Sequence, residues 1–582
     1  MSGMGRLKGY VWRYWRRYAV GFACLLATVT LVMWIPWWIR EAVRIIEHGG
    51  SIADVRSYAL LIGVAGVAQG IIRTISRGLI FNAGRDIEYD LRNDLFAHLQ
   101  RLPIKFYHSQ RTGDLMSRVI NDISAVRALL GPGILNLFNA PVYYVYGIVL
   151  MLSMDVRMTL VALLPFPLLI LAVRRFRGRI LRNSLKVQRQ LAELTNHIQE
   201  NLSGMHVVKA YTQEENQIRH FVSLNRDYQE KNMELARLRG LIGPVMQAVG
   251  GLTVLLVVGY GGYRVIRGEL LVADIVAFIA YLNVLAWPTA AFGWMLSMIE
   301  RGRAAMERLE EILKVEPEVA DPAHPLPLRN AERGIEFRDV YFAYDATANG
   351  QGALKDINFA VPRGRTLAIV GRTGAGKSTL AQLIPRLYDV SSGEIRLGGQ
   401  DIRSFSLAEL RRTFGYVPQD PFLFSASLKR NLAFGRDAVS DQEIEGAVRL
   451  TRLDRDVAIF PDGLDTVVGE RGITLSGGQK QRATLARAIL LGAPFLVLDD
   501  CLSSVDAQTE DEILRGFKSV LKDKTCVIIS HRISAVKDAD EILVLDEGRI
   551  IERGNHQELI FKGGLYADLY HQQQLSEELE QI

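Results

Sequence analysis

Hydrophobic and polar positions alternate in two regimes along this chain. As far as about residue 300, charge-free runs of membrane length are separated by long charged stretches; after about residue 328, short apolar strands alternate with helical segments. Residues 18–39 carry no charge, and about 20 apolar residues suffice to cross a bilayer. Arg13, Arg16 and Arg17 precede this run and place the N-terminal end on the cytoplasmic side. Trp34, Trp37 and Trp38 at its far end suit either an interfacial belt or core packing. Residues 57–72 predict a second span that continues past Arg73 and Arg77 as a long cytoplasmic helix. Residues 128–154 and 158–173, parted by 155–157, predict a tight outer hairpin, and residues 241–263 and 275–299 complete six spans. The charged stretches 82–127 and 174–239 read as extended cytoplasmic helices, and Arg301 and Arg303 return the chain to the cytoplasm. An even number of spans keeps both ends on one side, with everything after about residue 328 in the cytosol.

A length of 582 residues calls for more than one core. The expected division is a transmembrane domain over 1–315, a linker over 316–330 marked by Pro317, Pro322, Pro325 and Pro327, an α/β nucleotide-binding domain over 331–575, and an acidic tail, an exposed helix end, over 576–582. The net charge of +6 is small for this size and gives no reason to expect a nucleic-acid partner. Cys24, Cys501 and Cys526 include no pair at metal-ligand spacing, so neither a disulfide framework nor a zinc site is indicated. The first apolar run is too long for the core of a cleavable signal peptide.

Candidate chemistry centres on residues 371–379, G-R-T-G-A-G-K-S-T, between the apolar run 367–370 and the helical segment 380–387. At a strand-to-helix junction this pattern is a phosphate cradle. Gly371, Gly374 and Gly376 let backbone N–H groups turn inward, with Arg372, Thr373, Ala375 and Thr379 completing the loop. Lys377 reaches the β- and γ-phosphates, and Ser378 offers its hydroxyl to magnesium. Downstream, the apolar strand 495–498 ends in Asp499 and Asp500; a carboxylate at the end of a parallel strand beside a phosphate loop is where magnesium is held, which makes Asp499 the candidate metal residue.

Between these two features lies L-S-G-G-Q, residues 475–479, and with this order of motifs the chain resembles the ATP-binding-cassette ATPases. The resemblance implies several roles. Tyr344, in V-Y-F-A-Y, is the aromatic on which adenine stacks; Gln419, in Y-V-P-Q-D, senses magnesium and the attacking water; residues 503–506 match the D-loop; His531 is the switch histidine at the γ-phosphate. Ser476, Gly477, Gly478 and Gln479 form a second anion site that, in this family, closes over the ATP held by the cradle of another subunit, so a dimer is implied. The membrane half resembles ABC exporters that join six spans and one cassette in one chain: residues 106–118 resemble their first intracellular loop, 208–214 their second, and 466–472 the segment that couples to these loops. The implied fold is an all-α six-helix transmembrane domain with long cytoplasmic extensions, fused to an α/β P-loop ATP-binding cassette. The implied cofactors are ATP and Mg2+, and the implied location is the cell membrane.

One residue departs from the family pattern. Glutamate normally follows the magnesium aspartate as general base, and here Asp500 stands there. Its shorter carboxylate falls short of an in-line water by roughly an ångström, and general-base catalysis is worth about 10²- to 10⁴-fold. A site that holds ATP and hydrolyses it slowly is expected, as in the degenerate-site subunit of heterodimeric exporters, where a partner supplies the competent glutamate. The alternatives are a homodimer in which Asp500 works as base, and a regulatory membrane subunit that binds ATP without pumping; an exporter with an added protease module is not supported by the short N-terminal segment. The spans carry Asn136, Asn139, Gln247, Asn283, Trp287 and Trp294 without a recognisable ligand constellation, and the resemblance implies only a hydrophobic or amphipathic substrate, drug or lipid.

Overall fold

Five of the six charge-free runs lie on helices longer than a bilayer requires. The computed structural model describes residues 3–328, 334–344, 352–436, 438–469, 472, 474–521 and 524–580. The chain divides into two units, one comprising Met1–Leu99 and Gly113–Lys314, the other Gln100–Thr112 and Val315–Ile582.

The first unit is helical. Its long elements are α1 (Trp15–Glu47), α2 (Ile52–Leu99), α3 (Thr112–Met154), α4 (Val156–Leu163), α5 (Phe166–Ser203), α6 (Glu214–Ile266) and α7 (Val272–Leu313). Among the described residues, α1, α2, α3, α6 and α7 are each long and apolar enough to cross a membrane. The fourth expected span, residues 158–173, is carried by α4 and α5, which meet at Leu164 and Pro165. Leu164 and Pro165 keep right-handed helical dihedrals, but Pro165 and Pro167 have no backbone N–H to give to the carbonyls of Val161 and Leu163, so the hydrogen-bond ladder is interrupted there.

Small residues set how closely these helices pack. A Cβ on Gly21 of α1 would come within 2.7 Å of Ile80 on α2, and the Ser76 hydroxyl donates to the Gly21 carbonyl at 2.7 Å. Gly84 of α2 lies against the backbone of Gly131 in α3, 3.3 Å from where its Cβ would stand. Such close approaches are what hold helices together in lipid, where burial of apolar surface gives little preference for protein over acyl chains. Buried hydroxyls are satisfied across helices: Tyr18 donates to the Leu130 carbonyl and Tyr281 to the Met33 carbonyl, both at 3.1 Å. Charge gathers at the span ends, where Arg264 bonds Asp155 at 2.7 Å and Glu269 at 2.9 Å, and Arg40 bonds Asp274 at 2.5 Å.

The second unit is α/β. Strands β1 (Ile335–Phe342), β2 (Leu354–Val361), β3 (Thr366–Gly371), β4 (Ser392–Leu397), β5 (Gln400–Asp401), β6 (Phe414–Val417), β7 (Phe495–Asp499), β8 (Thr525–Ile529), β9 (Glu541–Asp546) and β10 (Arg549–Gly554) form two sheets. One is antiparallel in the order β2-β1-β4-β5; the other runs β10-β9-β3-β8-β7-β6 and is parallel from β9 through β6. All five residues of β7 are buried, as are Leu367 to Gly371 in β3, the pattern of strands covered on both faces. The helices that matter below are α8 (Lys377–Leu383), α9 (Gly477–Leu490), α10 (Ala507–Leu521) and α11 (Leu565–Glu580). The short helix Ile104–Ser109 belongs to this second unit, and Ile104 packs against its core. Of the segments singled out in the sequence, Glu470 and Arg471 of the 466–472 stretch, the linker end at 329–330, the domain start at 331–333 and the last two residues of the tail lie outside the described residues.

Candidate functional site

Strands β3, β8, β7 and β6 are neighbours in that order and run parallel, so their carboxyl ends open on one edge of the sheet. The loop after β3 is the 371–379 cradle, β8 is followed by Ser530 and His531, β7 ends on Asp499 and leads into Asp500, and β6 is followed by Pro418 and Gln419. Residues up to about 160 positions apart thus meet at the edge where α/β sheets bind ligands.

The cradle is held by the sheet beneath it. Gly371 has φ +152°, and a Cβ there would stand 2.1 Å from the Leu545 carbonyl oxygen in β9, so only glycine fits. Gly376 has φ +99° and a Cβ would meet the Ala353 carbonyl at 2.7 Å; Gly374, at φ +84°, needs glycine for its backbone conformation alone. Ala375 is buried while Arg372 and Thr373 are exposed. The Lys377 ammonium donates to the carbonyls of Gly371 at 2.8 Å and Arg372 at 2.9 Å, which folds it across the loop. Burial lowers its pKa, and the Asp500 and Asp499 carboxylates oppose that shift.

Ser378 donates to Asp499 Oδ1 at 3.1 Å, so the hydroxyl and the carboxylate converge on one point. Burial pushes the Asp499 carboxyl up to about 6, against the hydrogen bond from Ser378. A hydroxyl beside a carboxylate whose ionised form is short of solvation is a donor set suited to a hard divalent cation. Asp500 is buried and has φ +47°, in the left-handed region, with its N–H bonded to the Ile529 carbonyl at 2.8 Å. His531 and Gln419 are exposed. Burial and the nearby Lys377 lower the His531 pKa, which keeps the ring neutral near pH 7.

Tyr344 stands to the side of the cradle. Its hydroxyl pairs with Thr379 Oγ1 at 3.0 Å, its ring meets Phe342 and Tyr388 edge-on, and 41 % of it is exposed, which leaves a ring face for a planar base. Ser476 caps α9 reciprocally with Gln479: the Gln479 N–H donates to Ser476 Oγ at 3.3 Å and the Ser476 N–H to Gln479 Oε1 at 2.9 Å. Gln479 also donates to Asp456 at 2.8 Å, which commits its side chain to structure. Ser476 and Gly477 face solvent at the start of this helix, with Gly478 pressed against the 503–506 turn: a Cβ on it would stand 2.8 Å from the Ser504 carbonyl.

Three positioning residues escaped the sequence reading. Gln481, buried in α9, donates to Ser503 Oγ at 2.9 Å and accepts from the Ser504 N–H at 2.8 Å, while Ser503 donates to the Asp500 carbonyl at 3.0 Å. Arg532 reaches back to the carbonyls of Val505 at 3.1 Å and Ser503 at 3.2 Å and pairs with Glu510 of α10. Gln573 of α11 donates to the His531 carbonyl and accepts from the Ile533 N–H at 2.8 Å. These bonds join the turn after Asp500 to α9, to the loop of His531 and to the last helix. In sequence each is an ordinary polar residue on a helix or in a loop, and no local signal marks it.

Known proteins bear the same combination. Residues 18–289 match the family described as the ABC transporter transmembrane region, and residues 354–503 match the ABC transporter family. The chain is 36 % identical over 577 residues to the probable multidrug resistance ABC transporter ATP-binding/permease protein YheI of Bacillus subtilis, covering 99 % of this chain and 98 % of the relative. It is 36 % identical over 588 residues to the multidrug resistance-like ATP-binding protein MdlA of Escherichia coli, covering 100 % and 98 %. It is 31 % identical to an ATP-dependent lipid A-core flippase of Syntrophus aciditrophicus, covering 97 % and 93 %. Among solved structures, a bacterial Atm1-family ABC exporter with ATP bound superimposes with a TM-score of 0.79 at 28 % identity, covering 96 % of this chain and 99 % of that one. With a helical membrane unit and a phosphate-binding α/β unit on one polypeptide, and with relatives matched almost end to end, the chain belongs to the ABC transporter family, as an exporter-type half-transporter that binds ATP, couples its hydrolysis to transport across a membrane and works as a dimer.

Proposed function

We propose that this chain is the degenerate-site subunit of a heterodimeric exporter of hydrophobic or amphipathic compounds. The observation that carries this reading is Asp500: a carboxylate one methylene shorter than glutamate, directly after Asp499, on a turn tied to α9 through Ser503 and Gln481. The relatives named for multidrug resistance and the flippase named for lipid A-core support the substrate class. In this reading ATP lies on the 371–379 loop with adenine on Tyr344. Lys377 leaves its carbonyl partners for the β- and γ-phosphates, and Gln419 and His531 meet the γ-phosphate from the ends of β6 and β8. Ser378, Asp499 and Gln419 hold Mg2+, which when bound neutralises phosphate charge. Asp500 accepts a proton from water too slowly to sustain turnover, while Ser476 and the Gly477 and Gly478 amides complete the partner's competent site.

The domain roles follow the same reading. Residues 1–315 carry the pathway, 316–330 link, 331–575 form the cassette and 576–582 the tail; both termini and the cassette lie on the cytoplasmic side of the cell membrane. ATP binding closes the paired cassettes, and the loops around Gly113 and Tyr211 pass that motion to the spans, which alternate between inward- and outward-facing forms. The test is ATPase activity of this chain alone in lipid, as wild type, Asp500→Glu and Asp500→Asn. A silent wild type rescued by glutamate supports the reading. Brisk wild-type turnover abolished by asparagine overturns it in favour of a homodimer with Asp500 as working base.

A further inference from the structure

Two arginines of α2, expected from the sequence just past the second span on its cytoplasmic side, instead stand level with the charge-free runs of α1 and α3. The contact of Gly84 with Gly131 fixes the level of α2 against α3. Seven residues along each antiparallel helix from that contact bring Arg77 opposite Phe138, and eleven bring Arg73 opposite Val142, the middle of the charge-free run 128–154. An independent contact agrees: Gly21 of α1 lies against Ser76 and Ile80, and Phe22 stacks near Phe138 with ring centroids 4.3 Å apart, so Arg77 stands at the level of Phe22, inside the charge-free run 18–39. Arg73 and Arg77 are four residues apart and share one helix face; Tyr143 of α3 lies within electrostatic reach of both. Both arginines are exposed on the protomer.

A guanidinium at this depth is costly against acyl chains, and such residues face a polar pathway or a charged partner. No partner of opposite sign is at hand in the spans. Residues 18–39, 57–84, 128–154, 158–173, 241–263 and 275–299 contain neither aspartate nor glutamate, and the carboxylates of α1, α2, α3 and α7 fall outside these runs, as Asp86 does where it pairs with Arg17. The apolar layer of this chain therefore offers cationic groups and no anionic one. That is the inverse of what recognition of a cationic drug requires.

We infer that Arg73 and Arg77, with the Tyr143 hydroxyl, bind the anionic group of an amphipathic substrate, a carboxylate or phosphate whose apolar body lies among the spans. This rests on the exporter reading above and deepens it by giving the substrate a charge. The same chemistry is offered by a free amphiphilic anion and by the headgroup of an anionic lipid.

The probes are pyrenebutyrate and a pyrenebutyl trimethylammonium salt, which share an apolar body and differ in charge. Binding to the full chain in phosphatidylcholine nanodiscs is read by energy transfer from tryptophan, with empty nanodiscs subtracted. Wild type binds the anion in preference to the cation. Arg73→Gln/Arg77→Gln binds it about tenfold or more weakly, whereas Arg73→Lys/Arg77→Lys, which keeps the charge, stays close to wild type. Equal anion binding by wild type and the glutamine pair overturns the inference. So does equal loss in the lysine pair, or tighter binding of the cation by wild type. Adding phosphatidylglycerol separates the two sources: loss of pyrenebutyrate binding assigns the arginines to a lipid headgroup, and retention assigns them to a free anion. Because binding is read without ATP turnover, failure here leaves the Asp500 reading standing, and failure of that reading leaves this measurement interpretable.

Discussion

Replacing Gln481 by leucine releases the turn that follows Asp500 while keeping the bulk of the side chain. The wild-type amide holds the Ser503 hydroxyl at 2.9 Å and the Ser504 N–H at 2.8 Å from a site only 3 % exposed. Leucine removes both bonds. Ser503 and Ser504 are themselves exposed, so water can take over their freed groups, and the loss stays near the net value of two hydrogen bonds, about 2 kcal/mol in all. Opening of the 503–506 turn then becomes about 30-fold more frequent. Hydrogen–deuterium exchange on the full chain in nanodiscs reads this directly: a peptide containing Ser504 exchanges about 30-fold faster, while peptides from β3 and β7 keep their wild-type protection. Unchanged exchange at Ser504 would refute the tether. Equal acceleration in β3 and β7 would show instead that Gln481 supports the whole unit.

Other expectations are checked separately. Lys377→Ala removes the ammonium meant for the β- and γ-phosphates, and titration with a fluorescent ATP analogue should show about 10- to 100-fold weaker binding, the value of a charged hydrogen bond; undiminished binding counts against the cradle. Gly302→Ala places a Cβ 2.5 Å from Leu129 Cβ where α7 meets α3, and overpacking of about 1–3 kcal/mol should appear as a lower melting temperature in detergent. Magnesium requires ionised Asp499, whose carboxyl burial pushes up to about 6. Mg2+ affinity in the presence of ATP should therefore rise with pH up to that value and level off above it; Asp499→Asn should bind weakly at every pH.

Two of the four parallel strand ends, 371–379 after β3 and 499–500 after β7, and the start of α9 at 475–479 were legible because each is written contiguously, and neighbours in sequence fold together. The membrane half was legible wherever apolar runs were uninterrupted. At residues 158–173 composition reports one apolar stretch, and it does not show that Pro165 and Pro167 interrupt the hydrogen-bond ladder within it. The placement of Gln100–Thr112 with the second unit left no mark in local hydropathy, because what decides it is a tertiary contact of Ile104. Gln481, Arg532 and Gln573 were invisible for the same reason: each bonds a backbone group about 20 to 40 residues away.

The left-handed backbone at Asp500 bears on how such a site changes over evolutionary time. Aspartate is among the few side chains that occupy this region with ease, because its short polar group bonds locally, and a glutamate there carries strain on the order of 1 kcal/mol more. A single-base mutation separates the two amino acids, yet the reverse substitution meets a backbone already settled for the shorter one. On the degenerate-site reading proposed above, return to glutamate is thereby harder than departure from it, and the chain is held to a partner that supplies the base.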